Sequence, residues 1–507
     1  MAEAGRAVAR EILERFDTCP VVVVCGKGNN AGDGFITART LAEFGYPVTV
    51  VLLGSPEDLR GSAARAFDSI LGVGVPLAGP KDLPLHLDGA HVVVDAVLGI
   101  GMRGQATGVV AEAIDAINEC SAPVVAVDVP SGLREMEPGE ETGPVVRASL
   151  TVTFGLPKLC LLTVPGWLFA GEVVVAPINF PAELLEDDAI PLNMADTPDL
   201  RAWLPARAAD ANKGDFGRVG IVAGSAECAG AAILCARAAL RSGAGLVTIF
   251  TPPTLNALYK AALPEATTAI VPSTSADWLT EAGAEEILRR AERMDVLAVG
   301  PGMGTAPTQA GLLAEIVRGF DGPLVLDADA LTLLAGPGCG MDLVRGRDDV
   351  VLTPHPGEMA RLTGLTTARV QQDRIGVARD FAMSHGLTLL LKGAATLVVR
   401  PDGGVFVNPG ATSALAKAGT GDVLTGLVAA LVAQGAQPWQ AAVTGAQIHL
   451  SAGMSIAGRI GERGLLATDL ADELPATMLA VEREEPRHAE EPEPPEEFHQ
   501  EDEQPWV

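Results

Sequence analysis

The sequence is poor in aromatic residues and lacks three further features that would assign a protein to a class. Phe, Trp and Tyr make up 4% of the 507 residues, so Val, Ala, Leu and Gly must fill the core. The seven cysteines include no C-x-x-C pair, which argues against a disulfide framework or a cysteine metal site. No run approaches the roughly 18 apolar residues of a membrane helix, and Met1 to Arg10 has no apolar signal-peptide segment. We therefore expect a soluble, cytoplasmic protein with no membrane partner.

Basic residues are also scarce relative to acidic ones. The chain has 36 Lys and Arg against 64 Asp and Glu, and its formal net charge is −28. This balance argues against nucleic acid or an anionic membrane surface as a partner, because both repel an acidic protein. Any phosphate group must therefore be bound locally, by backbone N–H groups, a few cations or a metal ion.

Both halves of the sequence alternate short β-branched runs with Ala-rich amphipathic segments. In the first half the runs are Val21–Cys25, Val48–Leu53, Val92–Asp95, Val124–Asp128 and Glu172–Ala176. In the second half they are Val219–Ala223, Gly245–Phe250, Val296–Gly300, Leu324–Asp327, Val350–Leu352, Leu387–Lys392 and Leu397–Arg400. Apolar strands separated by helices predict an α/β fold with parallel sheets that are covered on both faces.

Composition also predicts the domain boundaries. A segment with three prolines separates the two halves, and after about Ala480 the chain becomes rich in Glu and Pro. We predict domains at 1–190 and 207–480, a linker at 191–206, and a disordered acidic tail at 481–507.

The most informative stretch is A-K-A-G-T-G-D-V-L-T-G at Ala416–Gly426. The apolar run that follows predicts a helix, and Gly419, Thr420 and Gly421 expose backbone N–H groups at its start. Such a helix start attracts anions, above all phosphate. Asp422 would lie in the first turn, where a carboxylate beside phosphate suggests a base that deprotonates an attacking hydroxyl. The C-terminal half is therefore expected to perform chemistry at a nucleotide phosphate.

Three carboxylates lie at or just beyond predicted strands of the first half. Asp33 lies in the glycine-rich segment Gly26–Gly34, which we expect to be a loop after the strand Val21–Cys25, and Asp95 and Asp128 end two other strands. Because strand ends converge in a parallel sheet, these groups would repel one another unless a cation or a proton intervenes. The pattern favours a bound cation or an acid/base pair, although each Asp alone could be a helix cap or turn former.

In the second half, polar residues again follow strands. His355 lies between two prolines and beside Glu358, which favours a ligand contact, and Lys392 is a candidate phosphate contact. Asp327 and Asp329 could hold Mg²⁺ through water, with helix capping as the alternative for Asp329.

The segments Gly26–Gly34, Asp95–Gly104 and Asp128–Gly132 resemble the NAD(P)H-hydrate epimerase domain. The resemblance implies a Rossmann-like, doubly wound α/β/α sandwich, in which Asp128 is the acid/base group for inversion at carbon 6. A potassium ion would be held by Asn30, Asp95 and Ser131. The hydrate would be contacted by Asn29, Asn30, Ala31, Gly32, Asp33, Gly99, Ile100, Gly101, Met102, Arg103, Gly104, Gln105 and Asp128. Ala31 replaces a glycine common in this family, and a positive φ there would cost of order 1 kcal/mol.

The stretches K-G-D-F-G-R, G-P-G-M-G, L-D-A-D-A-L, L-T-P-H-P-G-E-M and A-G-T-G-D-V-L-T-G resemble the ADP- or ATP-dependent NAD(P)H-hydrate dehydratase of the ribokinase-like superfamily. The resemblance implies a ribokinase-like α/β domain, Mg²⁺, and a homo-oligomer. The hydrate would be contacted by Ala231, Gly302, His355 and Asp422, with Asp422 as the catalytic base. The nucleotide would be contacted by Lys392, Gly393, Ala394, Ala395, Thr396, Gly419, Thr420 and Gly421.

The two resemblances together imply repair of hydrated NADH and NADPH. The N-terminal domain would interconvert the R and S hydrates, and the C-terminal domain would dehydrate the S hydrate while ADP becomes AMP and phosphate. Two alternatives stay open at this stage. The C-terminal domain could be a ribokinase-like kinase of a vitamin precursor, and the N-terminal domain could be a binding module without catalysis.

Overall fold

The computed structural model describes residues 1–134, 143–181, 184 and 192–483. None of its helices in these ranges is both long and apolar enough to cross a membrane. The described residues form two compact units. The first contains Met1–Asn193, Pro354–Ser384 and Leu389–Ala411, and the second contains Met194–Thr353, His385–Thr388 and the described residues from Thr412 onward. The predicted domain boundaries at 190 and 207 stay predictions.

The strands and helices alternate along most of the described chain. The strands are β1 Val21–Cys25, β2 Val48–Leu52, β3 Leu77–Ala78, β4 Val92–Ala96, β5 Val124–Val127, β6 Leu150–Phe154, β7 Glu172–Ala176, β8 Leu192–Asn193, β9 Arg218–Val222, β10 Leu246–Thr251, β11 Thr267–Ile270, β12 Val296–Val299, β13 Leu324–Leu326, β14 Val350–Leu352, β15 Thr388–Leu391, β16 Thr396–Val399 and β17 Val405–Asn408. The helices are α1 Ala2–Arg15, α2 Asn29–Glu43, α3 Gly61–Gly72, α4 Leu83–Asp88, α5 Val109–Glu119, α6 Leu159–Leu162, α7 Trp167–Ala170, α8 Thr197–Trp203, α9 Ala229–Arg241, α10 Asn256–Ala262, α11 Ala284–Ala291, α12 Pro307–Gly319, α13 Asp329–Leu334, α14 Pro356–Thr363, α15 Thr367–Gln372, α16 Arg374–His385, α17 Thr420–Ala433, α18 Pro438–Ile460 and α19 Ala467–Arg483.

In the first unit, seven parallel strands follow the order β3-β2-β1-β4-β5-β6-β7. All residues of β1 and β4 are buried, as expected for continuous Val runs covered on both faces. The order of strands reverses between β1 and β4, and ligands of doubly wound sheets bind beyond the carboxyl ends of the strands at such a point. The predicted doubly wound sheet is therefore confirmed, and it directs attention to the residues that follow β1 and β4.

The first unit also contains the strand order β15-β16-β17-β8, which includes an antiparallel hairpin of β15 and β16. In the second unit, six parallel strands follow the order β11-β10-β9-β12-β13-β14. Helix α17 is buried on nearly every face and packs closely against α9. A Cβ on Gly426 would lie 2.1 Å from the Cys235 carbonyl oxygen, so glycine permits this approach.

Three details differ from the sequence predictions. The segment predicted as a linker contains β8 and α8, and α8 begins with a capping box formed by Asp196 and Asp199. Helix α19 continues to Arg483, beyond the predicted domain end at 480, and residues 484–507 of the predicted tail lie outside the described residues. Strands β3, β6, β11 and β17 were not predicted, and in β6 the alternation of Thr with apolar residues interrupts the continuous apolar run.

Candidate active sites

The glycine-rich segment after β1 is mostly helix rather than loop. Only Gly26–Gly28 connect β1 to α2, which begins at Asn29. The expectation of a loop through Gly34 was therefore wrong, because the residues from Asn29 onward form the first turns of a helix. Ala31 lies buried within α2, where alanine is the residue that favours a helix most. The expected strain at Ala31 does not arise.

Asn30, Asp95 and Ser131, which the resemblance assigned to potassium, come together around the backbone of Leu98. Asp95 is buried and accepts hydrogen bonds from the Ser131 N–H and Oγ at 2.7 and 2.6 Å. The Asn30 side-chain amide donates to the Leu98 carbonyl at 2.9 Å, and Ser131 Oγ accepts from the Leu98 N–H at 2.8 Å. Burial raises the pKa of Asp95 to about 6, although the Ser131 hydrogen bonds act in the opposite direction.

The segment from Gly99 to Gln105 follows β4 as an irregular turn. Gly99 lies beside Asn30, since a Cβ on Gly99 would lie 3.4 Å from the Asn30 side chain. The Met102 N–H donates to the Gly99 carbonyl at 3.2 Å, which closes the turn, and Ile100 is half exposed. The structure thus places the start of this segment next to the first turn of α2.

Asp128 follows β5 in a strained conformation and carries an ion pair. Its φ is +67°, in the left-handed region that non-glycine residues rarely occupy. Its carboxylate lies 2.9 Å from Lys158 Nζ and accepts a 3.3 Å hydrogen bond from Thr153 Oγ1. Sequence reasoning missed Lys158 because it missed β6. The sequence could have revealed Lys158, since a lysine that closely follows a buried parallel strand lies at the same edge of the sheet as the residue after the neighbouring strand, here Asp128.

Asp33 lies on α2 within electrostatic range of Asp128. Burial and the negative charge of Asp128 raise the pKa of Asp33 to about 7, while the amino group of Met1, 3.8 Å away, acts in the opposite direction. Its Oδ1 is buried and has no hydrogen-bond partner among the described residues. Of the three carboxylates expected to converge, Asp33 and Asp128 influence each other, while Asp95 is held separately by Ser131. We call Asn30, Asp33, Asp95, Asp128, Ser131 and Lys158 the N-terminal site.

The start of helix α17 has the geometry expected from its sequence. Gly419 is its N-cap in the left-handed conformation, with φ +90°, and Asp422 lies in the first turn. Thr420 Oγ1 donates to the Leu415 and Lys417 carbonyls, each at 2.9 Å. His449 Nε2 lies 2.8 Å from the Thr420 carbonyl oxygen, to which it must donate because a carbonyl only accepts. His449 was missed because it lies on α18, far along the sequence.

Other predicted residues of the second unit lie around the ends of β12 and β13. Gly302 and Ala231 are neighbours, since a Cβ on Gly302 would lie 3.1 Å from the Ala231 Cβ. Asp327 is buried and accepts a 2.7 Å hydrogen bond from Thr425 of α17. The charges of Asp327 and Asp422 both raise the pKa of buried Cys235, after the larger effect of burial itself. Both carboxylates therefore lie near one end of α17.

The Mg²⁺ expectation for Asp327 and Asp329 is not tested by these contacts. Asp329 accepts a 2.9 Å hydrogen bond from the Gly304 N–H and does not cap α13. Among the described residues, no group of three or more His, Cys, Asp and Glu side chains could hold a metal ion. Mg²⁺ that binds together with a nucleotide takes most of its oxygen ligands from phosphate and water, so it needs few protein ligands.

The H-P-G-E segment forms a helix cap. His355 is the N-cap of α14, and its Nδ1 accepts from the N–H groups of Gly357 and Glu358 at 2.9 and 3.2 Å. Glu358 accepts from the His355 N–H at 2.8 Å, which completes a capping box. His355 Nδ1 is thus committed to the backbone, and Nε2 of its half-exposed ring lies 3.4 Å from Glu358 Oε1. Sequence reasoning missed this structural role, although Glu three residues after a cap is its usual signature.

The segment Lys392–Thr396, which we call the nucleotide turn, joins β15 to β16. Gly393 has φ +143°, and a Cβ there would lie 2.9 Å from Arg374 Nη1. The Arg374 guanidinium donates to the carbonyls of Leu391, Lys392 and Ala395 at 3.2 to 3.4 Å. Burial lowers the pKa of Arg374 to about 10. Arg374, which was missed from the sequence, therefore fixes the turn from its inner side.

Comparisons with known proteins match both regions. The family model described as NAD(P)H-hydrate dehydratase matches residues 219–476, and the YjeF-related protein N-terminus matches residues 1–160. A bifunctional NAD(P)H-hydrate repair enzyme of Moorella thermoacetica is 40% identical over 494 residues, which cover 96% of this chain and 93% of that protein. The enzyme of the same name from Escherichia coli is 35% identical, over 93% of this chain and 87% of that protein.

A solved structure supports the same assignment for the C-terminal region. A ribokinase-like superfamily protein from Enterococcus faecalis is 25% identical, has a TM-score of 0.51, and covers 58% of this chain and 97% of its own. Together with the near full-length relatives, this confirms the ribokinase-like and Rossmann-like regions expected from the motifs. The chain belongs to the family of bifunctional NAD(P)H-hydrate repair enzymes.

Proposed function

We propose that this chain repairs hydrated NADH and NADPH in two steps. Its N-terminal region interconverts the R and S hydrates, and its C-terminal region dehydrates the S hydrate at the expense of a nucleotide, ADP or ATP. The observation that carries the proposal is the carboxylate of Asp422 in the first turn of α17, beside backbone N–H groups that are free of a helical partner by position. A base next to an anion-binding helix start is what phosphoryl transfer to a hydroxyl requires.

The dehydration can be written with Asp422 as the base. Asp422 takes the proton from the hydroxyl on carbon 6, and the oxygen attacks the terminal phosphorus of ADP, so that a phosphate ester forms and AMP leaves. The lone pair of the ring nitrogen then expels phosphate from carbon 6. Loss of a proton from carbon 5 restores the double bond of the reduced nicotinamide. The N–H groups at Gly419, Thr420 and Gly421 stabilise the charge that develops on the phosphoryl oxygens.

The remaining C-terminal residues would bind the two substrates. We assign the nucleotide to the turn from Lys392 to Thr396, and the hydrate to Ala231, Gly302, His355 and Asp422. Support comes from the hydrogen bonds by which Arg374 fixes the turn and from the close approach of Gly302 and Ala231. Mg²⁺ would neutralise the phosphate oxygens when bound with the nucleotide.

In the N-terminal region, we assign the acid/base role at carbon 6 to Asp128. Its strained backbone supports this assignment, because such strain concentrates at functional sites. The residues Asn29 to Asp33 and Gly99 to Gln105 would contact the hydrate.

The N-terminal site also fits a potassium ion. Buried Asp95 has no cationic side chain within 4 Å among the described residues, and the oxygen atoms of Asn30, Asp95 and Ser131 suit a monovalent cation. Such an ion would supply the charge that offsets Asp95. Epimerisation in potassium buffer should exceed that in tetramethylammonium buffer, and equal rates in the two buffers would remove the ion from the proposal.

A single assay tests the whole proposal. The purified chain is incubated with mixed R and S hydrates, Mg²⁺ and either ADP or ATP, and the absorbance of the reduced cofactor is followed. We expect complete conversion with at least one of the two nucleotides, since epimerisation feeds the R hydrate into dehydration. Conversion of only half the hydrate would mean that the N-terminal region is not an epimerase. Phosphorylation of a vitamin precursor without any hydrate conversion would favour the rival kinase.

The family resemblance also supports a homo-oligomer located in the cytoplasm. Light scattering on the purified chain gives the mass of the assembly, and a monomer at all accessible concentrations would contradict the first part.

A further inference from the structure

Lys158 is the cation nearest to Asp128 in the N-terminal site. Its Nζ lies 2.9 Å from Asp128 Oδ1 and donates to the Phe154 carbonyl at 2.8 Å. Both side chains of the ion pair are less than one-fifth exposed, at 18% and 15%. An ion pair at this distance and with this burial is a strong, charge-assisted hydrogen bond rather than a solvated surface pair.

The segment around β6 fixes every part of Asp128. The Asp128 N–H donates to the Val152 carbonyl at 2.8 Å, and Thr153 Oγ1 donates to the carboxylate at 3.3 Å. These contacts hold Asp128 at its φ of +67°, which costs of order 1 kcal/mol for a non-glycine residue. The Asp128 carboxylate therefore has one orientation, and Lys158 is the charged group that contacts it.

Asp33 faces the same carboxylate from α2 and has a different environment. Its Oδ1 is buried without a hydrogen-bond partner among the described residues, and the Met1 amino group lies 3.8 Å away. Two carboxylates within electrostatic range are not both ionised without cost, and the pKa of Asp33, raised to about 7, reflects both burial and the charge of Asp128. Among the described residues, Asp128 has a lysine ammonium group at 2.9 Å, whereas the cation nearest to Asp33 is the Met1 amino group at 3.8 Å.

We propose that Lys158 is a positioning residue for epimerisation, whose ammonium group selects Asp128, rather than Asp33, as the ionised carboxylate that faces the hydrate. The inference rests on the proposed role of Asp128. It assigns opposite parts to the two carboxylates: Asp128 accepts a proton from the substrate, and Asp33, whose pKa is raised to about 7, is the group beside it that can still hold a proton near neutral pH. Two carboxyl groups in opposite states are the usual means by which one site supplies both a base and an acid.

The test compares Lys158→Met, Lys158→Arg and the parent chain, with Lys81→Met as an exposed-lysine control. The R hydrate is the substrate for epimerisation, measured between pH 5.5 and 8.5, and dehydration of the pure S hydrate by the same variants reports whether the chain is folded. We expect Lys158→Met to lower kcat of epimerisation about 10- to 100-fold, with KM changed less than about threefold. Its acid limb should move to higher pH, because the ionised Asp128 has lost its counter-ion. Lys158→Arg should recover most of the rate and the original pH profile.

If the single variant Asp128→Asn is inactive but Lys158→Met keeps the rate and pH profile of the parent, the inference is overturned and the proposed function stays intact. An inactive parent chain would overturn the proposed function itself. If Lys158→Met also loses dehydration, the Arg variant decides: a folded Arg variant with a shifted acid limb contradicts the inference, and one with the parent profile supports it.

Discussion

The N-terminal site and the start of helix α17 manage charge in opposite ways. In the N-terminal site, negative side chains are buried among the chain's own polar groups: Asp128 pairs with Lys158 at 2.9 Å, and Asp95 accepts hydrogen bonds from Ser131. At α17, the positive potential comes from the backbone of a helix start, and Arg374 at the nucleotide turn faces neutral carbonyls. The difference supports the proposal that the first site transfers protons and that the second binds phosphate.

The largest expected effect separates the two regions by activity. Asp422→Asn should lower the rate of dehydration at least about 100-fold, because the hydroxyl loses its base while the helix start is retained. Epimerisation of the R hydrate by the same variant should be unchanged. The two rates are measured on one preparation by absorbance and by chromatography of the epimers. Near-parent dehydration would remove Asp422 from its role, and loss of both rates would indicate misfolding.

The second effect tests whether buried charge in the N-terminal site is costly. Below about pH 4, Asp33 is protonated in the folded and unfolded chain alike. Above this pH, Asp33 loses its proton in the unfolded chain, whereas in the folded chain it keeps its proton until about pH 7. The free energy of unfolding therefore falls across this window, and Asp33→Asn should be more stable than the parent by about 2 kcal/mol at pH 8.

Thermal unfolding at pH 4 and pH 8 checks this sign. The two proteins should have similar melting temperatures at pH 4 and differ at pH 8. Asp68→Asn, at a more exposed position of α3, serves as a control. A lower melting temperature for Asp33→Asn at pH 8 would show that neighbouring groups, such as the Met1 amino group, stabilise ionised Asp33.

A third, smaller effect concerns the nucleotide turn. Arg374→Gln should raise KM for the nucleotide about tenfold, because the turn loses the donor to its Lys392 and Ala395 carbonyls, and a cation is lost beside the proposed nucleotide site. KM for the hydrate should change little. Arg369→Gln, which removes an exposed arginine 3.8 Å from Asp373, is the matched control. Equal nucleotide affinity in both variants, measured by calorimetry, would limit Arg374 to the stability of the fold.

The smallest effect distinguishes the two roles of His355. His355→Asn keeps a good N-cap for α14 and should leave stability within about 0.5 kcal/mol of the parent, whereas His355→Ala should lose about 1 kcal/mol. Both variants lack Nε2 and should raise KM for the hydrate by a similar factor. If the Asn variant binds the hydrate as well as the parent does, His355 is a cap alone.

Much of the fold was predictable because its strands are uniform. The predicted bounds of Val21–Cys25, Glu172–Ala176 and Val350–Leu352 match β1, β7 and β14. In β1 and β14 every residue is buried and apolar, as a strand that is covered on both faces requires. Strand β6 escaped prediction because Thr151 and Thr153 are buried there. The Thr151 hydroxyl donates a hydrogen bond to the Ala170 carbonyl at 2.6 Å, and no local sequence pattern predicts that contact.

The same contrast holds for the sites. By itself, the sequence determined the family and the α/β class, and it predicted the helix that starts at Gly419–Asp422, because a helix start and its first turn are local structures. Only the tertiary structure decided that Lys158 pairs with Asp128, that His449 binds the Thr420 carbonyl, and that Asp33 Oδ1 has no hydrogen-bond partner among the described residues. These contacts join residues distant in sequence, and the charge of a buried group depends on the neighbours that folding brings to it.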